Sequence, residues 1–431
     1  MTIRDPNWWR RDKDGPGVWE HRGKVAVAGV GHSPMDRRWD GKSMDTTLGA
    51  YAIIAAQKAM AEAGVSPDDI DGVIAYTRLD GAPWAPRPYF APPYDSEDGL
   101  TMVSAEWLVK QLGLKNVKYF NSKAPVIWEE MGLAAQAVGD GLTKNCLMLY
   151  QMGNLEGRYL QSGDNASDKA PGNRQWTTPW GAEPGPMQYF GMMFGQYCRK
   201  YGASPDMLAP FAVNQRRNGL MVPWGFYSLH EPYQITEKDY LDSRFVQQPV
   251  RVLDCDRPVN SAACYLFTTA ERARDMKQKP IYILNHCQGS ERVRSTMATL
   301  AEHEVWADRM ARRMWEGSGL GPKDLDVFNP YDGYLQHSQT ELEACQWHGV
   351  KRGEAADFFA GDIRVEGPHP FLSSGGNNGT GRNRTAMYTD CIEQLRGTAG
   401  KRQIQIRCET AMAGSIPPGS GAWIMFGKDP S

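Results

Sequence analysis

The stretch AGVSPDDIDGVIAYT (63–77) returns as SGLGPKDLDVFNPYD (318–332), with Gly, an apolar residue, Pro, Asp, an apolar residue and Asp repeated at a constant offset of 255 residues. Each copy follows a run with helical spacing, stops it at a glycine, restarts at a proline and leads into a short apolar strand. The repetition predicts a duplicated α/β chain in which each half contributes one sheet. The second copy sets Tyr331 and Asp332 where its strand ends, and ligands of open α/β sheets bind beyond the carboxyl ends of strands.

Outward from this repeat, KVAVAGVGHS (24–33) reads as a buried strand, 46–63 as a helix, 71–77 as a strand and 101–112 as a helix. Strand 116–120, helix 126–139 and strand 145–151 follow, so the alternation predicts a parallel sheet with helical crossovers. A proline-rich loop (81–97) interrupts it, and 152–235 reads as a loop-rich insertion walling one face of the sheet, with regular structure resuming near 260. SAACYLFTTAERARDM (261–276) predicts a strand then a helix, and PIYILNHC (280–287) a further buried strand. The halves are expected at 22–275 and 276–431. GVGHS (29–33) lacks the third glycine and the later acidic residue of a dinucleotide fingerprint and reads as a tight strand end.

Composition narrows the function. The chain has 431 residues, 41% of them hydrophobic and 23% charged, which suits a folded enzyme and not a disordered segment. Lys plus Arg number 48 against 50 Asp plus Glu, so the net charge is 48 − 50 = −2 and no nucleic-acid partner is expected. No apolar run approaches the roughly 20 residues of a membrane span or forms a signal peptide, which predicts a cytoplasmic protein. The 8 cysteines carry no CxxC pair, and the 8 histidines show no ligand-like pairing, so neither a disulfide scaffold nor a metal site is expected.

Together with the repeat, YGASPDMLAPFAVNQRRNG (201–219), PVRVLDCDRPVNSAACYLFTTAERARD (249–275) and SSGGNNGTGRNR (373–384) resemble the thiolase superfamily, in its sterol-carrier-protein-X-like branch, from about residue 24 to 427. The resemblance implies a five-layered α/β/α/β/α fold, a homodimer core, acyl-CoA thioester substrates with no cofactor, and a small OB-fold acyl-CoA-binding partner. The departures matter more. Where such enzymes carry a nucleophilic Cys this chain reads YFNSKAPVIW, with Asn121, Ser122 and Lys123, and Arg382 stands in place of the His that follows the Gly375-Gly376 pair. Covalent acyl transfer needs an activated thiolate, so thiolysis and Claisen condensation are not expected. The family's His-Asp-Cys-Phe element is replaced by Tyr331-Asp332-Gly333-Tyr334, and a Tyr there is similar to the steroid side-chain aldolases of the same superfamily.

The expected reaction is therefore retro-aldol cleavage of a β-hydroxyacyl-CoA, in which a base takes the β-hydroxyl proton and an enolate forms on the thioester. Tyr331 is the first candidate acid/base, with Asp332 and Arg382 beside it. Asp332 also reads as a cap of the following helix, and Arg382 as a charge at the start of helix 382–396 or a ligand for a CoA phosphate. The backbone N–H groups of 374–382, with Asn377 and Asn378, are expected to hold the enolate oxygen, one such donor being worth ~3–4 kcal/mol of barrier. Gly375 and Gly376 are expected where backbone approaches closely or φ is positive. The aldolases' second Tyr has no counterpart in register; Tyr388 is the nearest. Ser122 is expected to hydrogen-bond or make room for substrate, and His369 reads as a loop histidine with a possible substrate contact. Two alternatives stand beside the aldolase: an acyltransferase using Cys287 or Ser122, and a catalytically silent acyl-CoA-binding subunit.

Overall fold

The computed structural model describes residues 5–77, 97–100, 102–122, 124, 126–153, 186–290, 299–417 and 419–431. Nearly all of the proline-rich loop, Lys123 and the 154–185 part of the insertion lie outside the described residues. The elements in chain order are β1 (Val25–His32), α1 (Leu48–Ala63), β2 (Gly72–Ala75), α2 (Ala105–Leu112), β3 (Tyr119–Asn121), α3 (Ile127–Gly139) and β4 (Asn145–Met152). Then come α4 (Pro186–Tyr201), α5 (Ala209–Leu220), α6 (Phe226–His230), α7 (Glu237–Asp242), the hairpin β5 (Phe245–Gln247) and β6 (Val250–Arg251), β7 (Ser261–Thr269) and α8 (Ala270–Ala273). The rest is β8 (Ile281–Ser290), α9 (Leu300–Ser318), β9 (Val327–Pro330), α10 (Leu335–Cys345), α11 (Ala355–Ala360), α12 (Gly376–Thr380), α13 (Ala386–Arg396), β10 (Thr410–Ser415) and β11 (Ser420–Gly427).

The repeat is structural as well as sequential. Helix α1 ends on Gly64 at φ 75° and α9 on Gly319 at φ 70°, both in the left-handed region that a glycine takes without strain. A short 3₁₀ turn begins at Pro67 in one copy and Pro322 in the other, and β2 and β9 follow at the same offset. The strand order is β3-β2-β4-β7-β1-β8-β11-β10-β9. In the first half β2 runs parallel to β3 and β4, while β7 is antiparallel to β4 and β1. The second half repeats this: β9 is parallel to β10, β11 is antiparallel to β10 and β8, and the parallel bridge Phe328↔Phe371 takes the place of β3. The halves meet where β1 pairs with β8 at Ala26↔Tyr282 and Val27↔Ile281.

The sheet is therefore mixed, where the alternation predicted a parallel one. Alternation of helix and strand gives the crossovers β2–α2–β3–α3–β4 their parallel sense. It carries no information on β7, which arrives after a long excursion, or on β11, which closes a hairpin.

Helix α1 packs on β1, β4 and β7, and α9 on β8 and β11. Between the halves α3 touches β1, β4 and β7 on one side and β8, β10 and β11 on the other. Helix α13 shares that middle layer: it packs on β9 and β10 while Arg396 donates to Val27 O of β1 at 3.1 Å. The result is five layers, α/β/α/β/α. The glycines of GVGHS serve this packing, because a Cβ on Gly29 would stand 2.1 Å from Ala59 O and one on Gly31 2.0 Å from Ala55 O. Part of the expected loop-rich insertion is helical, since regular structure resumes at Pro186, not near 260. Helix α5 starts on a first-turn proline, Pro210, and carries Gly219 against the Gly379 carbonyl, so residues that read as loop signals are there for a helix start and a close crossing.

Candidate active site

Tyr331 directly follows β9, and its position is set from three sides. Its N–H donates to Gly414 O of β10 at 2.9 Å and lies 3.1 Å from Glu341 Oε2, and its carbonyl accepts from Ser338 Oγ at 2.9 Å. Glu341, fully buried on α10, also accepts from Ile416 N at 2.6 Å and lies 3.1 Å from His337 Nε2. The phenol ring stands against Trp128 at 5.5 Å and edge-on to His337 at 5.4 Å between centroids. A Cβ on Gly333 would lie 2.0 Å from the Tyr331 hydroxyl, so the Tyr-Asp-Gly order leaves room for the phenol. Burial raises the Tyr331 pKa, the Asp256 carboxylate adds to this, and Arg384 and Arg382 oppose it.

Asp332 faces a different task. Its Oδ1 accepts from Asn377 N at 2.7 Å and Asn377 Nδ2 at 3.1 Å, and its Oδ2 from Asn378 N at 2.9 Å and Gln215 Nε2 at 2.8 Å. Burial pushes its pKa up to about 7 against these four donors, which favour the anion. It therefore caps a helix, but α12, 45 residues further on, and not the helix that follows it. Gly375 and Gly376 have φ of 73° and 57°, and a Cβ on Gly376 would lie 2.1 Å from Asp332 Oδ2, so both glycine expectations hold.

The same bonds overturn the expected enolate donors. In the stretch 374–382 the N–H of Gly376 donates to Ser374 Oγ, those of Asn377 and Asn378 to Asp332, and those of Gly379, Gly381 and Arg382 to carbonyls of Gly375, Asn377 and Arg257. The side-chain amide of Asn378 donates to Leu253 O at 3.1 Å. These groups hold the loop together.

Two residues unnoticed in the sequence complete the surroundings of Tyr331. Asp256, 5% exposed, sits 3.7 Å from Arg382 Nε, and its pKa is pushed up to about 6 by burial against the two arginines. Arg382 is thus held in a partly buried pair, its N–H bonded to Arg257 O at 2.7 Å, and not at the start of a helix, since α13 begins at Ala386. Arg384 has a φ of 67°, a conformation that costs a non-glycine residue roughly 1–2 kcal/mol. Its N–H donates to Asn377 Oδ1 at 2.8 Å and its Nη1 to the Tyr150 hydroxyl at 3.3 Å. The guanidinium lies 4.9 Å from the Trp128 ring centroid and 5.8 Å from that of Tyr331. Tyr150 in turn stacks on Tyr76 at 5.0 Å, and Tyr76 is the counterpart of Tyr331 in the repeat. Positive φ in an arginine leaves no sequence signal; the repeated tyrosine did leave one.

The remaining expected residues lie elsewhere. Ser122 accepts from Ala105 N at 2.8 Å and donates to Glu106, so its hydroxyl is committed to the start of α2. His369 packs on His348 at 4.5 Å and Phe358 at 6.0 Å, away from the neighbours of Tyr331. Tyr388 is fully buried in α13, its hydroxyl without a hydrogen-bond partner among the described residues. Cys287 is fully buried too, and burial pushes its thiol up to about 12, which leaves no thiolate near neutral pH. Contrary to the expectation of no paired histidine, His21 Nε2 lies 2.9 Å from Asp140 and 3.8 Å from Glu20, but Gln136 bridges both carboxylates and Glu20 is exposed.

Residues 290–417 match the family model described as "Thiolase C-terminal domain-like". Human mitochondrial 3-ketoacyl-CoA thiolase superposes with a TM-score of 0.61 at 11% identity, covering 94% of this chain and 99% of that one. The chain has the thiolase fold. Over 93% of its length it is 26% identical to the 17-hydroxy-3-oxo-4-pregnene-20-carboxyl-CoA lyase of Mycobacterium tuberculosis, of which it covers 98%. It is 25% identical to the steroid side-chain-cleaving aldolase of Thermomonospora curvata, covering 94% of this chain and 98% of that protein. A solved Ltp2-ChsH2(DUF35) aldolase superposes with a TM-score of 0.73 at 22% identity, covering 94% of this chain and 98% of that one. No helix among the described residues is long and apolar enough to cross a membrane.

Proposed function

We propose that this thiolase-fold protein is a carbon–carbon lyase that cleaves a β-hydroxyacyl-CoA, carrying a steroid ring system, by a retro-aldol reaction. Tyr331 takes the β-hydroxyl proton as its own phenolic proton passes to water, and it recovers one from water after the α carbon has been protonated; the carbonyl of the new ketone forms as the bond between the α and β carbons breaks. The released electron pair becomes the thioester enolate, and the proton returns from Tyr331 to the α carbon. The protons balance, so the cycle draws on no cofactor and no acyl-enzyme.

The observation that carries this reading is Tyr331 itself, a phenol held at a strand end between Trp128, His337 and Arg384. The names of the full-length relatives, a pregnene-carboxyl-CoA lyase and a side-chain-cleaving aldolase, support the substrate class. Cys287 and Ser122, the nucleophiles of the alternative acyltransferase, are respectively buried as a thiol and bonded to α2. The two-component name of the Ltp2-ChsH2(DUF35) aldolase supports a second, small acyl-CoA-binding chain as partner, here read as an OB-fold protein acting with a cytoplasmic homodimer.

The test is turnover of 17-hydroxy-3-oxo-4-pregnene-20-carboxyl-CoA, with and without such a partner. Breaking its C17–C20 bond gives a 17-ketosteroid and propionyl-CoA in equal amounts, which chromatography with mass detection reads directly. An acylated protein, or substrate recovered intact in both samples, rejects the proposal.

A further inference from the structure

The proposed cleavage leaves negative charge on the thioester oxygen, and the loop expected to receive it has its N–H groups committed to the side chains of Asn329, Ser374 and Asp332 and to backbone carbonyls. The donor has to come from elsewhere. Arg384 is placed to supply it. Its guanidinium makes no ion pair among the described residues, and its buried Nε has no hydrogen-bond partner there. A cation inside a protein ordinarily sits beside a carboxylate, because desolvating it alone is costly. Arg384 instead lies over two rings, Trp128 at 4.9 Å and Tyr331 at 5.8 Å, with one bond to a neutral phenol, Tyr150, at 3.3 Å. Its backbone is also held in the left-handed region, at φ 67°, by the bond from its N–H to Asn377 Oδ1. Strain and a half-buried cation with no carboxylate bonded to it occur together here beside the proposed acid/base; the Asp256 carboxylate acts on Arg384 through space but pairs with Arg382.

We infer that Arg384, with Tyr150 as its support, is the catalytic cation that holds the enolate oxygen, and that the anion it lacks in the resting protein is the one formed during cleavage. The inference rests on the retro-aldol reading. Tyr331 carries the proton, Arg384 moves none, and the electron pair of the broken bond ends as oxygen charge beside the guanidinium. Arg382, by contrast, already faces Asp256 at 3.7 Å.

The left-handed backbone supplies a clean variant. Arg384→Gly removes the cation while placing glycine where glycine is unstrained, so the protein is expected to fold with a melting temperature no lower than that of wild type. Cleavage of 17-hydroxy-3-oxo-4-pregnene-20-carboxyl-CoA should fall in kcat by roughly 10²–10³-fold, the loss typical of one enolate donor, with KM little changed. Millimolar guanidinium chloride, and not sodium chloride, should restore part of the rate, and Arg384→Lys should fall between. A second readout is exchange of the α protons of propionyl-CoA in D₂O, which needs enolisation and no steroid; it should fall in parallel. Cleavage by Arg384→Gly within threefold of wild type, or a loss confined to KM, overturns the inference while leaving the lyase reading intact. Wild-type protein that cleaves nothing overturns the lyase reading first.

Discussion

At the scale of single residues, two neighbours in sequence do opposite things. Tyr331 turns its phenol toward Trp128 and Arg384, while Asp332 grips α12 with four bonds from Asn377, Asn378 and Gln215. Asp332→Ala leaves four donor groups without their buried acceptor, so it should lower the unfolding free energy by about 3–5 kcal/mol, measured by urea titration. A loss under about 1 kcal/mol contradicts the clamp. Sequence reading found the Tyr-Asp pair because the repeat pointed to a strand end. It could not divide their roles, since the donors to Asp332 come from 45 residues or more away in the chain. Arg384 stayed hidden for a similar reason: its meaning lies in a backbone angle and a long-range contact with Tyr150.

At the scale of elements, the middle helix α3 carries an unexpected group. Glu130 is fully buried, neither carboxylate oxygen makes a hydrogen bond among the described residues, and burial raises its pKa well above the usual range against the opposing effect of the Tyr76 backbone. The folded chain thus keeps a proton that the unfolded chain gives up above pH ~4.5. A raised folded pKa contributes stability below the unfolded value and loses it as pH rises. Glu130→Gln, which cannot ionise, should therefore gain on wild type as pH rises from 5 to 7.5, by at most about 1.4 kcal/mol per pH unit. Parallel urea titrations at the two pH values check this, and an unchanged gap refutes the buried neutral acid. Helix α3 itself was legible from apolar spacing, as were α1 and strands β1, β2 and β4. Helices α4 and α5 were not, because glycine and proline, which usually mark loops, here mark a helix start and a backbone crossing.

At the scale of the molecule, the two sheet halves share α3 and α13 as one interior layer and are joined further by the β1–β8 pairing. Neither half has its inner face covered without the other. Unfolding of the whole chain should therefore be one transition, with tryptophan fluorescence and far-ultraviolet circular dichroism coincident in urea. Two separated transitions contradict a shared core. The duplication was readable at this scale from fifteen residues, while the mixed strand directions were not, because directions depend on how long excursions return to the sheet. The duplication also brings both repeat tyrosines to one place: Tyr331 lies under Arg384, and Tyr76 stacks on the Tyr150 that supports it.

The central claim is that a phenol has taken over proton transfer in a pocket that no longer forms a thioester with its substrate. The most direct measurement is single-turnover cleavage of 17-hydroxy-3-oxo-4-pregnene-20-carboxyl-CoA by wild type and Tyr331→Phe, with the quenched protein weighed intact by mass spectrometry. The account predicts a roughly 10²–10⁴-fold slower step in the variant and unmodified mass in both proteins throughout turnover. Equal rates, or a transient mass increase matching an acyl group, contradict it.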